Sequence, residues 1–421
     1  MEISYSRNIP VKFEADIFVA GGGPSGFAAA VSAARCGMKV ILAESSGVIG
    51  GSSILSMVPE LMNFDDGVNF LSKGIGREVY DRLGYPHSYS RKWHNVKPEV
   101  LKRIYDELLL SSGVKVLFYS HITDVIKDSD KITHAIISSP EGLFAINASC
   151  FIDCTGNGSL SALSGADFSY GDESGKTMST TLCSLWGGVD FERKKTEGDY
   201  EKAYREGVFS QYDPLLPGIK ANFPEIGVGF GNVGHCFNVR DIDTESITEA
   251  MFKGRKILSE YETYYKEYVE GAEDAVLIRS ADYLGVRESR RITCEYTLTT
   301  DTFNMKESFP DVIGRYSYPV DIHPMSADKN GIKGFAKAIS MRHSDGESYS
   351  IPYRSLVVRG ISNLLVAGRA MGADRGMQAS VRVIPCCYIT GQAAGFGAYL
   401  SVKDNVPAKD VDIEKLKALI K

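Results

Sequence analysis

The stretch DIFVAGGGPSGFAAAVSAARCGMKVILAE, residues 16–44, decides the fold. Residues 16–20 read as a short apolar strand. Residues 27–36 read as a helix closed by Gly37, and 39–44 as a second strand. This is one βαβ unit with a tight crossover. Its turn holds Gly21-x-Gly23-x-x-Gly26, more glycine than a plain turn needs. Without side chains there, a pyrophosphate can reach the backbone, and the last glycine lets the helix pack on the sheet. The helix start adds unpaired N–H groups and a partial positive charge. Glu44 closes the second strand. A carboxylate there accepts both hydroxyls of an adenosine ribose and repels a 2′-phosphate. A glycine turn without a ligand is the competing reading, but strand, helix, second strand and acid all agree on a dinucleotide.

Further along, three features favour FAD over NAD. Gly50-Gly51-Ser52-Ser53 supplies a second set of donors for phosphates. FIDCTGNG, residues 151–158, is a strand that ends in a Thr155-Gly156-Asn157-Gly158 turn. Residues 363–398 form a strand, a glycine-containing loop and a long small-residue helix. Between them, 98–112 carries apolar residues at helical spacing after Pro98. Strands are expected at 114–119 and 121–127, and a hairpin of 131–137 with 143–146. A further strand covers 150–153. The middle, 166–345, is richer in aromatic and charged residues and holds one long helix near 243–270. The end returns to a strand at 364–368 and a helix over 391–400. An α/β Rossmann-like domain split over 1–165 and 346–421, with a mixed-sheet α+β substrate domain inserted at 166–345, explains this order.

These motifs, together with YLGVRESRRI (283–292), YPVDIH (318–323), IPYRSL (351–356) and GQAAG (391–395), give the chain a resemblance. It resembles the bacterial FAD-dependent oxidoreductases of the glutathione-reductase-like superfamily, in the GidA/thiazole-synthase-like branch. The resemblance implies a three-layer ββα FAD domain. It implies phosphate contacts from Gly21, Gly23, Pro24, Ser25, Gly26, Gly50, Gly51 and Ser52, and ribose contacts at Glu44 and Ser45. Ile122 would meet the adenine. Thr155, Gly156 and Gly158 would lie near the cofactor, and Gly368, Arg369, Gly372, Arg382 and Val383 would hold the flavin end. A helix beginning near Gly391 would aim its dipole at the pyrimidine edge of the flavin.

Composition bounds the partners. The chain has 421 residues, 43% hydrophobic and 24% charged, with a net charge of −6. Such a length suggests two domains. No long basic run exists, which argues against nucleic acid and anionic membrane as partners. No apolar run reaches the roughly 18 residues of a membrane span. The N-terminal residues lack a signal-peptide pattern, so a cytoplasmic location is expected. Eight cysteines are scattered through apolar stretches and read as buried free thiols. No metal-ligand spacing is present.

The candidate chemistry lies elsewhere. In extended chain Asp321 and His323 share a face, and a histidine beside a carboxylate can take a proton from an alcohol or amine. A hydrogen-bonded structural pair is the competing reading. RESRR offers Arg287, Arg290 and Arg291 to clamp a substrate anion, with Arg287 favoured; Arg354 and Arg382 are further candidates. His87, His94, His235 and His343 read as surface or capped histidines. Only one GxGxxG, Gly21 to Gly26, follows a strand and opens a helix, so a second nucleotide domain is absent from the pattern. Electrons then come from a small-molecule substrate, or from NADH or NADPH visiting transiently. The expected function is FAD-dependent oxidation or reduction of a small polar substrate at the domain interface. The alternatives are an NAD(P)H-dependent reductase of an activated double bond, and an FAD-bound scaffold or RNA-modification partner.

Overall fold

The structure is a computed structural model that describes residues 3–215, 217–305, 308–327 and 339–421. Strand β1 (Val11–Ala20) leads into α1 (Pro24–Arg35) and β2 (Val40–Ala43). All four residues of β2 are buried, as a parallel strand covered on both faces requires. Along β1, Ile17 and Val19 pack on one face of the sheet, Phe18 and Ala20 on the other. That alternation places the sheet between two layers. Helix α1 starts at Pro24, inside the glycine motif, because proline fits the first helical position.

Helix α2 (Pro98–Ser111) buries Leu101, Ile104, Tyr105, Leu108 and Leu109 on its inner stripe. It is followed by β3 (Lys115–Leu117), β4 (His121–Asp128), β5 (Lys131–Ser139) and β6 (Gly142–Asp153). The segments expected at 143–146 and 150–153 are one continuous strand. Its first half pairs antiparallel with β5; its last residues pair parallel with β11 (Leu364–Val366). Its other edge carries β1 along its length. Thus β3-β2-β1-β6-β11 run parallel, and β6-β5-β4 continue as a meander. No residue between 146 and 150 breaks the ladder, so the small side chains there stay in the strand.

A second core gathers residues from Leu182 to Leu284, with Met57 reaching in from the first part of the chain. Its antiparallel sheet comprises β7 (Ser184–Gly187), β8 (Ile219–Phe223), β9 (Val228–Gly231) and β10 (Val276–Ser280), in the order β8-β9-β7-β10. Helix α3 (Thr244–Tyr268), capped by Asp243, buries Tyr261, Tyr264 and Tyr265 in that core. Of the expected insertion over 166–345, these residues share the second core, whereas Leu298, Phe303, Ile313, Tyr316 and Val320 pack with the first. The chain then returns through β11, α4 (Arg375–Val381) and α5 (Ile384–Asp404).

Helix α5 begins at Ile384, seven residues before Gly391 (391 − 384), so the expected helix start is corrected. Gly391 lies inside it. A Cβ there would overlap the Ser25 carbonyl, and one on Gly395 would overlap Ala29's. These glycines let α5 cross α1 at backbone contact, which is their packing role. All eight cysteines are free thiols, seven of them buried. Among the described residues no helix is long and apolar enough to cross a membrane.

Candidate cofactor and active site

The glycine loop is built as three separate solutions. Gly21 has φ +90°, and a Cβ there would sit 2.6 Å from the Cys154 oxygen. A Cβ on Gly26 would overlap the Gly21 carbonyl, so the helix start folds onto its own loop. Gly23 is different: a Cβ there meets nothing within 4 Å. It faces open space above the start of α1, whose N-cap is Gly23 with no side-chain cap. Uncapped N–H groups at a helix start, opening onto free space, form an anion cradle.

The second glycine pair closes on this loop. The Gly50 N–H donates to the Gly22 carbonyl at 2.8 Å, and Gly51 has φ +48°. Glu44 follows β2 and is buried, accepting from the Gly22 N–H at 2.7 Å and the Ser46 N–H at 2.8 Å. Ser45 Oγ also donates to it, at 3.2 Å. Oε1 takes both serine bonds, whereas Oε2 takes the Gly22 N–H alone and keeps a further lone pair for a ligand hydroxyl. Ser52 lies in the short 3-10 turn Gly51–Ser53. Ile122 sits on β4, paired with Ile137, just past Ser120, whose N–H donates to the Glu44 carbonyl.

From the far end of the chain, Gly368 (φ +78°) comes under α1, where a Cβ would lie 2.7 Å from Ser25 Oγ. Gly372 is a packing glycine instead; a Cβ there would lie 2.7 Å from the Tyr296 carbonyl oxygen. The Thr155 turn is a closed knot. Thr155 Oγ1 donates to Asp153 at 2.7 Å, and Asp153 also takes the N–H and hydroxyl of Ser161. The half-buried Arg369 guanidinium ties this knot down, donating to the Gly156 carbonyl at 2.8 Å and to the Val286 carbonyl. A Cβ on Gly158 would lie 2.7 Å from Ile292. Val383 is the N-cap of α5. Two buried polar atoms nearby, Arg382 Nε and Gln378 Oε1, have no partner among the described residues. The open cradle, the acid and these orphaned atoms fit a large polar cofactor with phosphates.

The catalytic candidates gather at the seam between the two cores. Ser56 Oγ donates to the Leu284 carbonyl at 3.0 Å, and the Tyr283 N–H to the Leu55 carbonyl at 3.2 Å. The Ser179 N–H donates to the Pro324 carbonyl at 3.1 Å. There Asp321 and His323 are both buried, with His323 Nε2 3.4 Å from Asp321 Oδ1. Arg382 donates to Asp321 at 2.8 Å, and the Tyr318 hydroxyl at 3.2 Å. Burial opposes the Asp321 charge, but His323, Arg382 and Arg287 outweigh it and hold the carboxyl far below its usual range. Burial, then the neighbouring Arg287, pushes the His323 pKa down to about 3. The ring is therefore neutral at neutral pH.

The RESRR arginines divide. Arg287 lies in the seam, donating to the Ser179 carbonyl at 2.9 Å, Thr181 Oγ1 at 2.8 Å and Asn232 Oδ1 at 3.2 Å. Burial lowers its pKa to about 10. Arg291 and Arg375 grip the buried Glu288, and Arg290 donates to the Asn157 carbonyl. Arg354 pairs with Asp311 at the surface side of the first core. Sequence reading missed two partners. His235, expected at the surface or capped, is fully buried, and its Nε2 lies 3.2 Å from His323 Nδ1. Asp213 lies 3.0 Å from its Nδ1. Strand pairing brings His235–Cys236 against Thr180–Thr181, an arrangement no local spacing reveals. A mostly apolar cavity of about 460 Å³ also opens between the Val48–Met57 region and the second sheet, with Leu185 and Phe230 on its wall. None of Asp213, His235, Arg287, Asp321, His323 and Arg382 lines it.

A strand–glycine loop–helix cradle with an acid after the second strand, in a sheet of this order, defines a dinucleotide-binding α/β protein. The sequence profile of the FAD dependent oxidoreductase family matches residues 16–420, and the chain belongs to that family. Its members are described as FAD-dependent oxidoreductases, and FAD is the cofactor that the cradle and Glu44 fit; the chain spans less than two thirds of the length of the curated relatives it matches. The chain is 27% identical over 168 residues to the thiamine thiazole synthase of Pyrococcus horikoshii, covering 37% of this chain and 62% of that enzyme. It is 41% identical over 121 residues to the mitochondrial dihydrolipoyl dehydrogenase of Caenorhabditis elegans, covering 27% of this chain and 22% of that enzyme. A geranylgeranyl bacteriochlorophyll reductase-like structure from Thermoplasma acidophilum superposes with a TM-score of 0.48 at 13% identity. That match covers 97% of this chain and 83% of the other.

Proposed function

We propose that this oxidoreductase acts on a small polar substrate at the seam between its two cores, with His323 exchanging the substrate proton. One observation carries the reading. A buried, neutral histidine acted on by Arg287 lies against an ionised aspartate that Arg382 pairs with, where the cofactor-binding core meets the second core. Ionisable groups are buried together at such a cost where chemistry uses them. FAD, when bound, accepts or returns a hydride.

The chain's own residues do the rest. His323, uncharged, can take a proton from a hydroxyl or amine as its C–H bond breaks. Asp321 stays ionised beside it and stabilises the imidazolium that forms. Arg382 keeps Asp321 in place. Arg287 sets a positive potential at His323. Burial keeps bulk water from these groups. A scaffold without a redox substrate has no use for this cluster.

The test is the anaerobic absorption spectrum of the FAD-loaded protein, first with NADH or NADPH, then with a panel of small alcohols and amines. The reading expects a yellow protein that keeps its colour with the nicotinamides and bleaches with a member of the panel. Rapid bleaching by NADH or NADPH alone favours the nicotinamide-fed reductase. His323→Ala should retain FAD and reduce at a rate lower by on the order of 10²–10⁴. An unchanged rate removes His323 from the chemistry.

A further inference from the structure

We propose that the apolar cavity beside the second sheet binds a small amphipathic monoanion, a hydrocarbon body that ends in one carboxylate. The site is separate from the seam and does not rest on the role of His323. Its volume of about 460 Å³ lies within the roughly 300–1,000 Å³ of small-molecule sites. None of Gly21, Gly23, Gly26, Glu44, Gly50 and Gly51 lines it, so it is not the cofactor cradle either.

The apolar wall follows from strand pairing. Side chains alternate along a strand. Trp186 of β7 turns to the face that α3 covers, where it packs on Tyr265 of that helix at 4.9 Å. Leu185, one residue earlier, therefore turns to the opposite face. Pairing sets it between Phe230 of β9 and Arg279 of β10, with Lys220 of β8 beyond Phe230. The result is one row, apolar in the middle and cationic at both ends. Across the cavity stand Leu55 and Met57, with Val100 from the first turn of α2. Met57 is held at φ +51°, a left-handed conformation that a residue with a side chain rarely adopts. A void between apolar walls forfeits the contacts that packing would give. A strained wall residue beside such a void points to a place kept for a ligand.

The charges select the class of ligand. Lys97, Lys102 and Arg279 line the cavity together with Glu99 and Asp282. Lys102 pairs with Glu99 at 2.7 Å, and Arg279 pairs with Asp282. Lys220, at the far end of the row, pairs with Glu60 at 2.6 Å. Lys97 has no ion pair among the described residues, so one positive charge at the rim is left unanswered. A single carboxylate matches it, while the hydrocarbon body covers Leu185 and Phe230. A phosphate dianion would bring one charge too many, and a cation would meet Lys97 with its own sign.

The experiment follows the methyl signals of ¹³C-methyl-methionine in the FAD-loaded protein, titrated with octanoate and, in parallel, with octanol. Met57→Leu assigns the signal of the methionine in the cavity wall. The expected result is a saturable shift of the Met57 methyl, with octanoate bound more tightly than octanol. Lys97→Met should weaken octanoate by about two- to fivefold, the size of an exposed ion pair, and leave octanol unchanged. Leu185→Trp should abolish the shift, because the indole fills the cavity. A Met57 methyl that does not move overturns the site, and so does a shift that survives Leu185→Trp. Octanol that binds as tightly as octanoate overturns the anionic class, as does an octanoate affinity that Lys97→Met leaves unchanged. Lys97 is exposed, so wild type and Lys97→Met decide even if Leu185→Trp does not fold.

Discussion

Gly23 and His323 show what single residues decide. At Gly23 the backbone is extended (φ −65°, ψ 178°), so valine can adopt it, and its side chain would point into open space. Gly23→Val should fold with wild-type stability and lose FAD, because the valine fills the place of the phosphates. Purified protein that is still yellow would refute the cradle. His323 makes a prediction about pH. Its pKa falls from the usual 6.5 to about 3 on folding, so between those values the unfolded chain binds more protons than the folded one. Stability therefore rises with pH across that window and is lost as pH falls below 6.5. From pH 6.5 to 5 the loss is at most about 2 kcal/mol from this residue. Urea unfolding at the two pH values should show it, and His323→Gln should flatten the slope; an equal slope in both proteins counts against a buried neutral ring. The glycines and Glu44 were legible because their constraint is local: a turn, a helix start and a strand end lie within one stretch. Asp321 and His323 were legible for the same reason, as alternate residues of extended chain. Asp213 and His235 were not. They reach His323 only through strand pairing and core packing, and a lone histidine in a polar stretch looks like any surface histidine.

Elements add a constraint that no single residue carries. Helices α1 and α5 cross with Gly391 against the Ser25 carbonyl and Gly395 against that of Ala29. Since Ser25 belongs to the cradle, the crossing holds the phosphate loop in shape. Gly391→Ala would force the helices apart, at a cost of about 1–3 kcal/mol. It should also weaken FAD retention, in contrast to Gly23→Val, which spares stability. Denaturant unfolding of the two variants side by side checks this; a Gly391→Ala protein as stable as wild type would deny the close crossing. The same helix shows why boundaries misled. The resemblance put a helix start near Gly391, but Pro385 marks the first turn and α5 is buried nearly all round, so no amphipathic stripe signals where it begins. Strand β6 is the counterpart. It serves β5 with one half and β11 with the other, and two pairings looked like two strands.

At the scale of the whole molecule the two cores divide the work. The first holds the cradle, Glu44 and the Asp321–His323 segment; the second holds Asp213 and His235. That the middle of the chain differs from both ends was legible from composition, because aromatic and charged residues concentrate there. The return of 298–320 to the first core was not, since its apolar residues carry no mark of which core they serve. This division predicts that damage to the second core separates cofactor binding from turnover. Trp186 is fully buried there, packed edge-on against Tyr265 at 4.9 Å, with Nε1 donating to Ser184 Oγ at 2.8 Å. Trp186→Phe removes that hydrogen bond and leaves a gap beside Tyr265, while nothing in the cradle touches it. The variant should lose about 1–3 kcal/mol of stability. It should stay yellow, because Gly21 to Gly26, Gly50 and Glu44 belong to the other core. Flavin reduction should slow, because β7 sits next to Arg287's partners Ser179 and Thr181 and carries the strain towards His235. Absorbance of the purified variant and its anaerobic reduction rate read the two arms. A folded but colourless variant would mean that the cores bind FAD jointly; a yellow variant with an unchanged rate would mean that the second core does not position the seam.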